Sequence, residues 1–191
     1  MAPAQVEQAS GMLARAFQDD PAWRWVVPSD ERRAALLPWL FRMNFEVTEA
    51  EAWVADNGAV AGCSRWLPPG RPQIHVGPML RALVATPLRA REATSRFFAY
   101  GRAVETIRAA AVPELHWYLA GIGVDPTHQR EGIGTALLTA GVAAAEPSGL
   151  PCALLTNSER NLSFYRRNGF EVVLEGHTPD DGPRAWMMRR P

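Results

Sequence analysis

The sequence predicts a mixed α/β fold, a sheet flanked by helices, and three observations carry that expectation. From residue 115 onward strand-like and helix-like stretches alternate, the order that lays crossover helices against a sheet. Asn57-Gly58 sits between two apolar runs, the strongest short signal for a hairpin, because both residues tolerate positive φ. The 191 residues suffice for one domain with a substantial core and are too few for two ordinary ones.

In chain order, residues 4–18 carry Val6, Ala9, Leu13, Ala16 and Phe17 at helical spacing, and Asp19-Asp20-Pro21 ends that helix. A second helix is expected after Ser29, a suitable N-cap, with Asp30 and Glu31 in its first turn. Pro38 falls inside its apolar pattern and should kink or split it. Residues 51–56 and 59–67 form the hairpin strands, 68–72 a proline-rich loop, and 79–110 a helical stretch broken near Pro87. The alternation then runs strand 116–124, helix 132–145, short buried strand 152–156, short helix 159–168, strand 170–175 and a last strand 185–189. Gly169 stands where a helix takes a left-handed cap. No repeat or low-complexity linker interrupts this order, so one domain is expected across 1–191.

Composition removes several functional classes. Twenty acidic residues offset twenty basic ones, which gives no electrostatic argument for nucleic acid or a membrane surface. All the cations are arginine, so no lysine can form a Schiff base or bind phosphate in a Walker loop. Cys63 and Cys152 are the only cysteines, and no charged leader with an apolar core opens the chain; both point to a reducing cytoplasm. No apolar run reaches membrane-spanning length. Neither cysteine lies in a Cys-His-Asp arrangement, and both are expected in the core. No metal site is expected.

The chemistry gathers at Gln129-Arg130-Glu131-Gly132-Ile133-Gly134-Thr135, between the strand ending Ile122-Gly123-Val124 and the helix that follows. Glycines at a helix start let phosphates approach the backbone, where free N–H groups and the positive end of the helix dipole bind an anion. Arg130 adds a charge there and Thr135 a hydroxyl. A Walker loop would need Gly-x-x-x-x-Gly-Lys, and a dinucleotide fingerprint would need a small residue where Leu137 stands. The loop alone allows either a phosphate cradle or a glycine helix start that packs on a strand.

Gln129-x-x-Gly132-x-Gly134 resembles the acetyl-CoA loop of the GNAT acetyltransferases, and Asn161-Leu-Ser-Phe164-Tyr165-Arg-Arg-Asn-Gly169-Phe170 resembles that family's second signature. The order, spacing and intervening strand agree as well. Trp53-Val-Ala-Asp-Asn-Gly, Trp117-Tyr-Leu-Ala, Gly123-Val-Asp-Pro-Thr-His-Gln129 and Gly182-Pro-Arg-Ala-Trp186 are similar to the puromycin N-acetyltransferase branch, with 68–112 matching only loosely. The resemblance implies a GNAT-type central twisted mixed sheet flanked by helices, with 1–112 on the acceptor side and 113–191 as the acetyl-CoA core. The family normally begins with a strand, whereas this chain begins almost at its first helix. The sheet is therefore expected to lack that edge strand, or the start of the chain is truncated.

The resemblance also implies a reaction: direct attack of an amine on the acetyl thioester. Ile122, Gly123 and Val124 would present backbone groups to the pantetheine and acetyl, with Gly121 and Gly123 permitting close approach. Gln129 to Thr135 would hold the pyrophosphate, and Asn161 and Phe164 would flank the arm, although Asn161 equally suits a local bond in the first helical turn. Tyr165, a phenol protonated at neutral pH, would donate to the leaving thiolate; a purely structural core tyrosine is the competing reading. No base is assigned: His116 has a suitable intrinsic pKa, and water-relayed deprotonation competes. Seven tryptophans, several of them in the first third, suit either an aromatic acceptor pocket or a core, and Asp19-Asp20 would attract an ammonium group. A small-molecule amine is the expected partner; a protein N-acetyltransferase or a non-catalytic CoA-binding regulator are the alternatives.

Overall fold

The computed structural model describes residues 3–47, 51–56, 59–70, 76–91 and 93–191. The expected Asn57-Gly58 turn and the end of the proline-rich loop lie outside them. Among the described residues the helices are α1 (Pro3–Ala16), α2 (Pro21–Val26), α3 (Asp30–Val47), α4 (Val76–Ala90), α5 (Ala93–Ala111), α6 (Ile133–Ala145) and α7 (Leu162–Arg167). The strands are β1 (Glu51–Asp56), β2 (Val60–Leu67), β3 (Trp117–Val124), β4 (Cys152–Thr156), β5 (Glu171–His177) and β6 (Arg184–Arg190). They form one mixed sheet in the order β1-β2-β3-β4-β6-β5. The first described element is α1, so no strand precedes it among these residues.

The sheet is antiparallel except at its centre, where β3 and β4 run parallel with α6 as their crossover. That parallel pairing spans only Trp117–Leu119 against Cys152–Leu154. Beyond it β3 continues to Val124 on β2 alone, and β4 continues to Thr156 on β6 alone. The sheet therefore splays between its two central strands. A register shift opposite Ala120 marks the same point, since Trp66 faces Leu119 and Arg65 faces Gly121.

The main core lies under α6 and α7, where Trp66, Leu138, Leu154, Phe170 and Met188 are at most 1% exposed. A second cluster joins α1 to the hairpin through Ala9, Met12, Leu13, Val60 and Cys63. The two cysteines are buried and unpaired, and burial pushes each thiol up to about 11, so both are inert core residues.

Pro38 does not split α3, which runs unbroken from Asp30 to Val47. It forfeits one hydrogen bond, and the burial of Leu37, Leu40 and the Arg33 side chain holds the helix together across it. The stretch 79–110 breaks near Pro87 as expected, at Arg91, whose φ is +48°, and the Arg91 N–H still reaches the Pro87 carbonyl at 3.1 Å. A further helix, α2, stands between the two expected ones, where the sequence predicts no element. Asp20 caps it, accepting from the N–H of Ala22 at 2.9 Å and of Trp23 at 3.4 Å, with Pro21 at its first position. Six residues are too few for a periodicity to show. None of the described helices is long and apolar enough to cross a membrane.

Candidate functional site

The splay between β3 and β4 opens into a cleft of about 800 Å³. Four segments line it: the α1–α2 turn (Ala16, Phe17, Asp19, Asp20, Pro21), the end of β3 (Ile122, Gly123, Val124), the loop into α6, and the stretch 158–167. Gln129, Arg130, Gly132, Gly134, Thr135, Asn161, Phe164 and Tyr165 are thus brought together with the β3 residues. Of the residues singled out in the sequence, Glu131 and Ile133 do not line it. Glu131 turns to His128, 3.2 Å from its ring, and Ile133 packs toward β2 beside Gly62.

The loop geometry follows from its residue types. Gly132 caps α6 in the left-handed region at φ +84°, and Arg130 also has positive φ, at +71°. These turns leave the first N–H groups of α6 without helical partners at the cleft wall, the arrangement that suits an anion. Gln129 donates from Nε2 to the Val124 carbonyl at 3.3 Å and ties the loop to β3. Asp125 fastens the same corner to α1: its Oδ2 accepts from Arg15 Nε at 3.1 Å and Nη2 at 2.5 Å, and Oδ1 accepts from Thr127. These bonds hold the Asp125 carboxyl at about 2, below the usual carboxylate range.

Gly123 has a role that sequence reasoning missed. A Cβ there would meet Leu13 Cδ2 at 2.6 Å, Phe17 Cε2 at 3.2 Å and Ala16 Cβ at 3.4 Å. The missing side chain lets the end of α1 lie directly on β3, which is what carries Phe17 and Asp20 to the cleft.

Tyr165 combines its two competing readings. Its ring is core, 6% exposed, and meets Phe164 and Phe170 edge-on at centroid distances of 5.1 and 6.2 Å. Its hydroxyl has no partner among the described residues, is not sealed from solvent and belongs to the cleft wall. Burial, with smaller contributions from the Asp20 and Tyr118 charges, pushes the phenol pKa well up, so it stays a proton donor. Asn161 makes no capping bond to its own helix, which leaves its amide facing the cleft.

His116 and Glu114 are not in the cleft. His116 Nδ1 lies 2.7 Å from the Glu114 carbonyl oxygen, Glu114 pairs with Arg189 at 2.9 Å, and both residues border a separate cavity with Arg108 and Val112. The tryptophans also divide away from it. Trp66 is fully buried, Trp23 packs among Phe41 and Phe97, and among the described residues no tryptophan lines the cleft, whose aromatic residues there are Phe17, Phe164 and Tyr165.

Sequence reasoning overlooked Ser158, Arg160 and Arg167, which line the cleft as well. Asn161, Phe164 and Arg167 recur every third residue, so one helix face was legible in the spacing. With Arg130 they give the cleft three cations, while Asp19 and Asp20 supply its acidic side. Among the described residues no group of His, Cys, Asp or Glu could hold a metal ion.

Residues 93–172 match the acetyltransferase (GNAT) domain family. Solved acetyltransferases share the fold. One from Corynebacterium glutamicum, described as histone acetyltransferase HPA2 and related acetyltransferase, is 24% identical with a TM-score of 0.67, over 100% of this chain and 93% of that one. The ribosomal-protein-S18-alanine N-acetyltransferase of Escherichia coli is 18% identical with a TM-score of 0.54, over 100% and 90%. The NatC complex bound to Gag peptide and CoA is 14% identical with a TM-score of 0.54, over 100% and 92%.

Proposed function

We propose that this chain, which has the GNAT fold and carries a GNAT acetyltransferase domain across residues 93–172, is an acetyl-CoA-dependent N-acetyltransferase acting on a small amine. One observation carries the reading: a single cleft collects the glycine loop, the unpaired edge of β3 and a free phenol on α7. A structural neighbour solved with CoA supports the choice of cofactor. The GNAT loop at Gln129–Thr135 fits a pyrophosphate through backbone N–H groups, with Arg130, Arg160 and Arg167 as counter-charges.

In this reading residues 113–191 form the acetyl-CoA side and 1–112 the acceptor side. The Ile122–Val124 backbone orients the thioester, having no sheet partner toward β4. Tyr165 holds the proton that the departing thiolate takes. Similarity of the sequence to the puromycin N-acetyltransferase branch supports a small acceptor, and Phe17, Phe164 and Tyr165 supply apolar surface for one. Structural neighbours described as acting on a ribosomal protein and on histones support protein acetylation as the second reading.

The test is release of CoA thiol from acetyl-CoA with a panel of aromatic and aliphatic amines beside N-terminal peptides. Turnover of a small amine is expected. Turnover of peptides alone moves the assignment to protein acetylation. A melting temperature raised by acetyl-CoA without turnover of any acceptor makes the chain a CoA-binding regulator.

A further inference from the structure

The acetyl-transfer reading needs a group that takes the amine's proton, and neither His116 nor Glu114 is in the cleft to do so. The α1–α2 turn offers one. Asp20 is half-buried at the cleft wall. Its Oδ1 is engaged by the N–H groups of Ala22 and Trp23, which fixes the carboxylate plane. Its Oδ2 has no partner among the described residues and is not closed off from solvent. The close seating of α1 on Gly123 sets this turn beside the unpaired end of β3, and the Asp20 charge is felt at the Tyr165 phenol.

We propose, on the basis of that reading, that Asp20 receives the neutral amino group of the acceptor, accepting a hydrogen bond from its N–H at Oδ2, and is the base of the transfer. The neutral amine attacks the thioester carbonyl carbon, and as the C–N bond forms the nitrogen becomes cationic and its proton acidic. Oδ2 accepts that proton. The C–S bond breaks, and the thiolate takes its proton from Tyr165. A water then carries the proton on Asp20 back to the Tyr165 phenolate, so neither residue ends changed. Burial raises the Asp20 carboxyl above its ordinary value, against the opposing effect of its two backbone bonds and the Arg160 guanidinium. The other titratable groups around it are Asp19 on the same turn, Arg160 and Tyr165 on the stretch 158–167 and Tyr100 on α5. The tyrosines stay neutral, so none competes as a base at neutral pH.

The test uses Asp20→Asn and Asp20→Ser, both of which keep an oxygen able to cap α2. The acceptor is the best amine from the thiol-release panel. Both variants are expected to retain the melting temperature and CoA affinity and to lose kcat by ~10²–10⁴-fold, the usual worth of a general base. The acidic limb of kcat/KM that Asp20 sets should vanish in Asp20→Asn, leaving only the titration of the amine. Asn or Ser variants with parental kcat and an unaltered acidic limb overturn Asp20 as the base and leave acetyl transfer standing. Absence of turnover in the parent itself overturns the transfer reading and this proposal with it.

Discussion

Replacing Gly123 with alanine tests how the end of α1 is held against β3. The new Cβ would lie 2.6 Å from Leu13 Cδ2 and 3.2 Å from Phe17 Cε2. Carbon atoms pack at about 3.5–4.0 Å, so α1 must retreat by roughly 0.9 Å or Leu13 must change rotamer. Leu13 is 4% exposed and has little room to move. Overpacking of this kind costs about 1–3 kcal/mol, a fall in Tm of roughly 2–12 °C for a chain of this length. The larger effect is on position. The retreat carries Phe17 and Asp20 away from β3, and a displacement near 1 Å costs ~10²-fold in rate. The expected result is therefore a ~10²-fold lower kcat, with CoA affinity less affected because Gln129 ties the glycine loop to β3. Adding Leu13→Ala makes room for the methyl group and should recover much of the lost rate. Calorimetry, CoA titration and thiol release measure the three quantities. A Gly123→Ala protein with parental Tm and kcat would refute the claim that this contact positions the site.

Three further outcomes follow from the site. Tyr165→Phe should keep CoA affinity and lower kcat by ~10²–10⁴-fold; unchanged turnover removes the phenol from the chemistry. Gly132→Val should weaken CoA binding by ~5–30-fold, measured by calorimetric titration, while far-UV circular dichroism stays parental. A Cβ at Gly132 meets nothing within 4 Å, so the cost is conformational: φ +84° suits glycine, and holding valine there costs ~1–2 kcal/mol. Normal affinity in that variant means the loop does not hold the phosphates. Asp125, held at about 2 against an ordinary 3.8, contributes stability that is complete above pH ~4 and lost as pH falls toward 2. The Tm gap between the parent and Asp125→Asn should be constant above pH ~4 and narrow below it; a gap flat down to pH 2 refutes the assignment.

The elements with strong local signals were legible in the sequence. β4 shows as five consecutive apolar-rich residues, β3 and α6 are punctuated by Asp125-Pro126 and Gly132, and Gly169 takes the expected left-handed cap at φ +83°. The cleft lining was legible where its residues are sequence neighbours, as with Gln129, Arg130, Gly132, Gly134 and Thr135, although Glu131 and Ile133 of the same loop turn away. It was not legible where the cleft is built by contact across the chain. Nothing near Asp20 says that Gly123, about a hundred residues away, will let α1 lie on β3. Pro38 leaves α3 unsplit for a related reason: it removes one hydrogen bond, but burial of Leu37 and Leu40 outweighs that loss. The tryptophans were ambiguous because an indole suits a ligand pocket and a core alike, and burial decides between them.

The short seam between β3 and β4 has a consequence for the molecule as a whole. Three residue pairs and the α6 crossover join two antiparallel half-sheets, β1–β3 and β4–β6. Outside the seam every strand pairing lies within one half, so the seam is where the sheet can part at least cost. A molecule whose amides occupy the vacant strand position would stitch the halves into one cooperative unit. Saturation at about 100 times Kd would add ~2.7 kcal/mol to global stability. The protein would then resist unfolding and proteolysis according to how much acyl donor surrounds it.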